Sequence, residues 1–376
     1  MATLTATTHR QVAISDTPHR IIVHHEPLPQ PTGTQVLVRL EASGVCATDL
    51  HLVRRSIPYL MPKADVRVCG HEGIGRIVQL GPDVDSTKWK VGDRVAQRWI
   101  YRVCRECEPC RSGQEQLCER RVVSGKDVGG CWADYTLVDS EYMLRIPEEV
   151  NAAEAAPILC AGTTVYRALK SAQLAVGQWV AIVGAGGGLG HVAIQYAKEQ
   201  RLQVLGIDGG EDKAALCTRL GADAFVDFTK TEDLTADVLR ITQGGAHGVL
   251  VTSSNPRAYE LAVTYVRKMG VLVCIGITPE KMTFPIGPEY FVAKGVRLSG
   301  TSTGTIADTQ EALDYLRRGQ VKPIVVEKKL DDIQACLEQL EKGDAVGRRP
   351  TKPPHATMLH CRGQAAQIQA EVVSQL

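Results

Sequence analysis

The stretch that most restricts how this chain can fold is WVAIVGAGGGLGHVAIQYAKEQ, Trp179 to Gln200. An apolar run ends at Val183, a glycine-rich turn follows, and apolar residues then recur at helical spacing. A strand that feeds a helix through such a turn opens a βαβ unit. The turn GAGGGLG, Gly184 to Gly190, meets the GxGxxG pattern in two ways. Gly184 and Gly186 fit with Gly190 one residue late, or Gly187 and Gly190 fit with Ala185 in the first position. Either way it offers a tight bend, close backbone approach and the free N–H groups of a helix N-terminus, which together receive an anionic group.

Alone, such a loop is equally a flexible connection. VLGIDGG at 204–210 supplies a second strand, and its Asp208 lies ~20 residues beyond the turn, where an acidic side chain meets an adenosine ribose. In that frame Gly184, Gly186, Gly187, Gly188, Leu189 and Gly190 read as a pyrophosphate cradle. A carboxylate accepts hydrogen bonds from two ribose hydroxyls and repels a 2′-phosphate, so NAD is expected over NADP, with Lys213 softening that preference. Strands follow at FVDF, GVLVTSS, GVLVCIG and VRLSG, separated by helical patterns at 211–220, 232–242 and 256–269. Alternating β and α elements define an α/β fold with a doubly wound parallel sheet, placed at 161–302.

Residues 1–160 have another texture: QVLVRLEAS, GIGRIVQLG and WKVGDRVA are short alternating strands among Gly and Pro turns, as in a distorted barrel. After the parallel sheet, DTQEALDYLRRG and DDIQACLEQLEKG read as amphipathic helices flanking the strand-like IVVEKKL. Residues 303–349 are expected to return to the first domain. Composition breaks at RRPTKPPH, leaving 350–376 as an atypical tail. Its prolines lack the N–H a ladder needs, so the tail is expected to leave the first domain's sheet unfinished, with 364–376 forming a short helix. A length of 376 residues suits two domains. A net charge of +1 gives no basic face for nucleic acid or a membrane surface, and no apolar run approaches the ~20 residues of a membrane span. MATLTATTHRQVAIS lacks the apolar core of a secretory signal, so a cytoplasmic protein is expected.

Four of the twelve cysteines stand at Cys104, Cys107, Cys110 and Cys118. That spacing wraps a tetrahedral ion more readily than it makes disulfides; zinc is the leading reading and an iron–sulfur cluster the alternative. A second concentration of chemistry is GVCATDLH. Cys46 can bind a metal, Thr48 can carry a proton, Asp49 can orient another ligand, and His51 can pass a proton to water. HEG places His71 and Glu72 beside Cys69 and Gly70, at a joint where the backbone can approach a ligand. Taken singly, His71 is equally a buried, hydrogen-bonded core histidine.

With GVCATDLH, GHEG, the four-cysteine run, PILCAGTTVYRALKSA, GAGGGLG, LGIDGGEDK, GGAHGV and EKGDAVGR in one order, residues 10–349 resemble the zinc-dependent medium-chain alcohol dehydrogenases, the fungal yeast-type tetramers most closely. The resemblance implies a GroES-like β-rich catalytic domain joined to a Rossmann domain, two zinc ions and NAD, and a homotetramer acting on a small alcohol or aldehyde. It implies catalytic zinc on Cys46, His71 and Cys160, with Glu72 as an occasional ligand and Asp49 orienting His71. Thr48 and His51 match the proton relay, and Cys104, Cys107, Cys110 and Cys118 match a structural zinc lobe. Arg348 matches a pyrophosphate contact, and Thr164 a position near the nicotinamide. The resemblance thus implies hydride transfer between a primary alcohol and NAD, yielding the aldehyde.

Three departures stand out. Ile57 replaces a bulky Trp after the relay histidine, with two extra residues before His71, while Trp99 matches a second pocket Trp. Ile306 stands where an Arg is usual, and everything beyond Arg349 is unfamiliar. Two other readings remain at this point: a zinc-free reductase of the same fold, and an impaired or specialised relative acting on a bulkier substrate.

Overall fold

The computed structural model describes residues 6–17 and 19–341 and the backbone of Met358–Arg362. Contacts divide these residues into two units, one of 6–160, 325–341 and 358–362, the other of 161–324.

In the second unit six strands run parallel in the order Ala224–Asp227, Gln203–Asp208, Trp179–Val183, Ala246–Val251, Val266–Cys274, Arg297–Gly300. Val180, Ala181 and Ile182 are fully buried on the central strand, as expected where helices cover both faces of a sheet. Sequence order reverses on the two sides of Trp179–Val183, so its C-terminal end lies at the switch point where open α/β sheets take their ligands. The helical pattern at 256–269 ends sooner than its sequence suggests. Pro256–Tyr265 is helix, and Val266, with φ −67° and ψ 127°, turns the chain into the next strand.

The boundary expected at 302 also moves, because the Ile306–Arg317 helix belongs to this second unit. Thr305 caps it reciprocally with Asp308. Asp308, buried, then pairs with Lys170 at 2.9 Å and Arg167 at 3.3 Å on the Ala161–Ala172 helix. Lys170 and Tyr166 also reach Glu311, at 2.8 and 2.6 Å. Amphipathic spacing shows that a helix has a buried face but not which domain buries it.

The first unit is built on Gln35–Val45, which pairs antiparallel with Gly73–Leu80 on one edge and with Tyr135–Asp139 on the other. Val36, Val38, Leu40, Ile77, Val95 and Val138 pack beneath it. The expectation of an unfinished sheet is overturned. Met358–Arg362 lies between Val325–Lys329, which it pairs parallel, and the end of Gln35–Val45, which it pairs antiparallel through Leu359↔Val45, His360↔Gly44 and Cys361↔Ser43. The prolines before it have no N–H to donate to a ladder. The strand instead forms beyond them, from MLHCR, so the break in composition delays the closing strand without abolishing it. The short helix expected at 364–376 and the cofactor contact expected of Arg348 lie outside the described residues.

Candidate metal centres and dinucleotide turn

The central strand of the first unit delivers Cys46 directly. Gln35–Val45 ends one residue before it, and Cys46 then caps the Ala47–Arg54 helix, its Sγ accepting from the Thr48 N–H at 3.4 Å. The third helical residue, Asp49, closes the capping box by accepting from the Cys46 N–H at 3.0 Å. Its other oxygen receives Gly70 N–H and His71 Nδ1–H, both at 3.0 Å. One buried carboxylate therefore ends a helix, fixes a loop and sets a ring, leaving His71 Nε2 turned toward Cys160 Sγ at 3.3 Å. Trp99 packs edge-on against that ring, centroids 4.9 Å apart.

Ligand atoms of Cys46, His71, Glu72 and Cys160 all lie within 4.8 Å of one another. Gly44 is required beside them, since a Cβ there would collide with the Glu72 carboxylate. Both carboxylate oxygens of Glu72 are buried without a hydrogen-bond partner, and burial, then Cys46, pushes that carboxyl well above its ordinary range. Cys46 is held well below the ordinary thiol range, first by hydrogen bonding with Cys160 and then by His71. Cys160 is pushed up by the same bond. Burial opposes charge on His71, but Asp49 outweighs it and raises the ring's pKa. Two sulfurs, an imidazole nitrogen and a partnerless buried carboxylate form a donor set that suits a divalent ion of zinc's character, and deprotonation of Cys160 on binding would relieve the shared proton.

Thr48 sits half-buried in the first turn of the same helix. His51 sits in its last turn, and burial lowers its pKa. Arg55 ends the helix in the left-handed conformation, which returns Ser56 Oγ to 2.8 Å from His51 Nδ1. Ile57 is buried at the start of the Pro58–Leu60 turn.

The second cysteine cluster is local. Cys104 Sγ accepts from the Cys107 N–H at 3.4 Å, and Cys118 Sγ from the Cys104 N–H at 3.4 Å. The Cys104 sulfur lies 3.5 Å from that of Cys118 and 3.9 Å from that of Cys110. A regular tetrahedron with metal–sulfur bonds of ~2.3 Å has edges of about 3.8 Å, so one zinc ion fits; the inorganic core of an iron–sulfur cluster would hold the sulfurs further apart. Backbone N–H groups of Glu106 and Cys107 bring Cys104 down to about 6, while burial and then Cys107 push Cys110 up to about 12. The four thiols thus start from unequal protonation, and binding an ion would release the remaining protons.

In the second unit Gly184, at φ +83°, makes the tight bend after the central strand. Gly190 packs so closely on the Gly184 carbonyl that no Cβ would fit, which accounts for the glycine that ends both alignments. Gly186 N–H donates to Asp208 at 2.9 Å, and Lys213 Nζ pairs with the same carboxylate at 2.7 Å. Gly187, Gly188 and Leu189 are half-exposed between them, and Thr164 is buried in the helix that follows Cys160. Sequence reasoning missed Ser56, whose place depends on the left-handed Arg55. It also missed His191, whose only signal is its position one residue past the turn.

The family profile described as alcohol dehydrogenase GroES-like domain matches residues 32–148, and that described as zinc-binding dehydrogenase matches 188–318. The chain is 42% identical over 320 residues to an alcohol dehydrogenase of Geobacillus stearothermophilus, covering 85% of this chain and 92% of the relative. Among solved structures it is similar to acetophenone reductase from Geotrichum candidum in complex with NAD, with 28% identity, a TM-score of 0.81, and coverage of 96% of this chain and 98% of that one. It is also similar to the alcohol dehydrogenase of the hyperthermophilic archaeon Aeropyrum pernix, with 27% identity, a TM-score of 0.82, and coverage of 94% and 100%. This chain belongs to the zinc-dependent medium-chain alcohol dehydrogenase family. It is an oxidoreductase of alcohols that uses zinc and a nicotinamide dinucleotide. Among the described residues no helix is long and apolar enough to cross a membrane.

Proposed function

We propose that the chain interconverts a primary alcohol and its aldehyde with NAD, as a cytoplasmic homotetramer carrying two zinc ions of different duty in each subunit. The observation that carries this reading is the meeting of Cys46, His71, Glu72 and Cys160 within 4.8 Å, with the Glu72 oxygens buried and partnerless. Cys46, His71 and Cys160 would hold the catalytic ion, with Glu72 in reserve beside it. That ion, when bound, supplies Lewis-acid chemistry that acidifies an alcohol hydroxyl or polarises a carbonyl. Cys104, Cys107, Cys110 and Cys118 would hold the structural ion.

Thr48 takes the hydroxyl proton and passes it toward His51. Because burial lowers its pKa, His51 is neutral at pH 7 and can accept. Asp49 holds the Nδ1 proton of His71, so Nε2 is the nitrogen that would give up its proton and serve as the ligand. The backbone of Gly184, Gly186, Gly187, Gly188, Leu189 and Gly190 cradles the cofactor pyrophosphate, and Arg348 contributes a positive charge. Asp208 takes the adenosine ribose hydroxyls, with Lys213 already paired to it, which favours NAD over NADP by about tenfold, the scale of one charge-assisted contact. Thr164 would lie near the nicotinamide. A panel of primary and secondary alcohols assayed with NAD and NADP tests the reading. Higher kcat/KM for primary alcohols with NAD is expected; equal kinetics with the two cofactors, or a preference for secondary alcohols, would refute it.

A further inference from the structure

His191 is fully buried in the first turn of the Gly190–Glu199 helix, and no step above uses it. Both ring nitrogens are engaged. The backbone N–H of Ile324 donates to Nε2 at 3.1 Å, so Nε2 carries a lone pair. The proton of the neutral ring is therefore on Nδ1, which donates to the Gly187 carbonyl at 3.0 Å. Burial lowers the ring to about 4, which keeps this tautomer uncharged at neutral pH.

The Gly187 carbonyl belongs to the same peptide plane as the Gly188 N–H. No cis peptide is present among the described residues, and in a trans peptide the C=O and N–H point in opposite directions. A ring that holds the Gly187 carbonyl toward the helix thereby holds the Gly188 N–H away from it, on the open side of the turn. The backbone N–H of His191 also donates to this carbonyl, at 3.0 Å, so the ring is a second anchor on a plane whose two glycines impose few steric limits of their own. The anchor is itself fixed at its far side, by the main chain at Ile324.

We infer that His191 is a positioning residue for the dinucleotide: as a neutral Nδ1–H tautomer clamped between Gly187 and Ile324, it presets the Gly188 N–H as a pyrophosphate donor. This rests on reading Gly184–Gly190 as the cofactor turn. It assigns His191 no contact with the cofactor and no proton to transfer.

The test is titration of the zinc-loaded wild type and three variants with NADH, followed by fluorescence. His191→Leu removes both ring bonds while leaving the backbone bond to Gly187, and should weaken NADH binding by up to about tenfold, the scale of one hydrogen bond to a charged group. His191→Asn can still donate to the Gly187 carbonyl and should stay within about threefold of wild type. His191→Gln, which reaches toward Ile324 instead, should behave like Leu; if the Leu variant does not fold, the Asn and Gln pair decides. A rise in KM for NAD with kcat and the KM for alcohol unchanged should accompany the loss, which general destabilisation of the fold would not give. Equal NADH affinity in the Asn and Gln variants, or wild-type affinity in the Leu variant, would overturn the inference while leaving the cofactor site intact. Failure of wild type to bind NADH would remove the cofactor reading and this inference together.

Discussion

The two candidate metal centres use the same thiol chemistry but are assembled in opposite ways. Cys104, Cys107, Cys110 and Cys118 lie within one short loop, and their sulfurs accept from the backbone N–H groups of that same loop. Cys46, His71, Glu72 and Cys160 come from a strand end, a loop and a helix junction and meet in a buried place, where one carboxylate, Asp49, ties two of those segments together. A local centre depends on its own sequence. A dispersed one depends on the whole unit, and a reaction gains most from the second kind, because ligands fixed by distant elements leave little freedom to reorganise.

The largest effect should come from separating the two centres by mutation. Cys46→Ala removes a ligand of the dispersed centre and should lower kcat by at least ~10³-fold with a melting temperature close to wild type, measured by calorimetry beside the alcohol assay. Cys104→Ala should do the reverse in emphasis, lowering the melting temperature by about 10 °C because a structural ion contributes directly to folding. If both variants lose activity and stability alike, the distinction between the centres is wrong.

A subtler asymmetry involves a region far from both in sequence. Met358–Arg362 pairs with Ser43, Gly44 and Val45, the residues that lead into Cys46, whereas the four-cysteine loop is closed by its own flanking strands, Ile100–Arg102 and Val122–Val123. A chain ending at Thr357 should therefore lose metal from the dispersed centre first, and activity with it. Cobalt substitution can read this, since the thiolate-rich local site should keep its absorption band. Unchanged activity in the truncated chain would show that the strand is dispensable.

How far the residues announced this architecture follows the same division. The βαβ unit was legible because strand, turn, helix and Asp208 are neighbours in the chain, and the four-cysteine loop because spacing alone fixes it. The dispersed ligands were legible only through resemblance, since His71 by itself is as good a core histidine as a ligand. The closing strand was missed because Pro350, Pro353 and Pro354 mark where a ladder cannot form but not where it resumes. The helix at Ile306–Arg317 was assigned to the wrong unit because its partners, Arg167 and Lys170, are visible only once the chain is folded.

The smallest predicted effect extends the comparison to the second unit, where His191 also joins distant residues. Its folded pKa, about 4, lies below the ordinary 6.5, so the unfolded chain takes up this proton first. Stability from the neutral ring is thus complete above about pH 6.5 and is lost as pH falls toward 4, on the order of 3 kcal/mol. Urea melts at several pH values should show that loss in wild type and a shallower one in His191→Leu; identical slopes would remove His191 as the cause.

The most direct measurement is zinc per chain, by plasma mass spectrometry, on the pure active protein and the two cysteine variants. Two dissimilar centres require two zinc ions in the wild type and one each in Cys46→Ala and Cys104→Ala, with activity surviving only where the Cys46 centre is filled. A fully active wild type holding a single zinc, or a Cys46→Ala protein that still holds two, would contradict it.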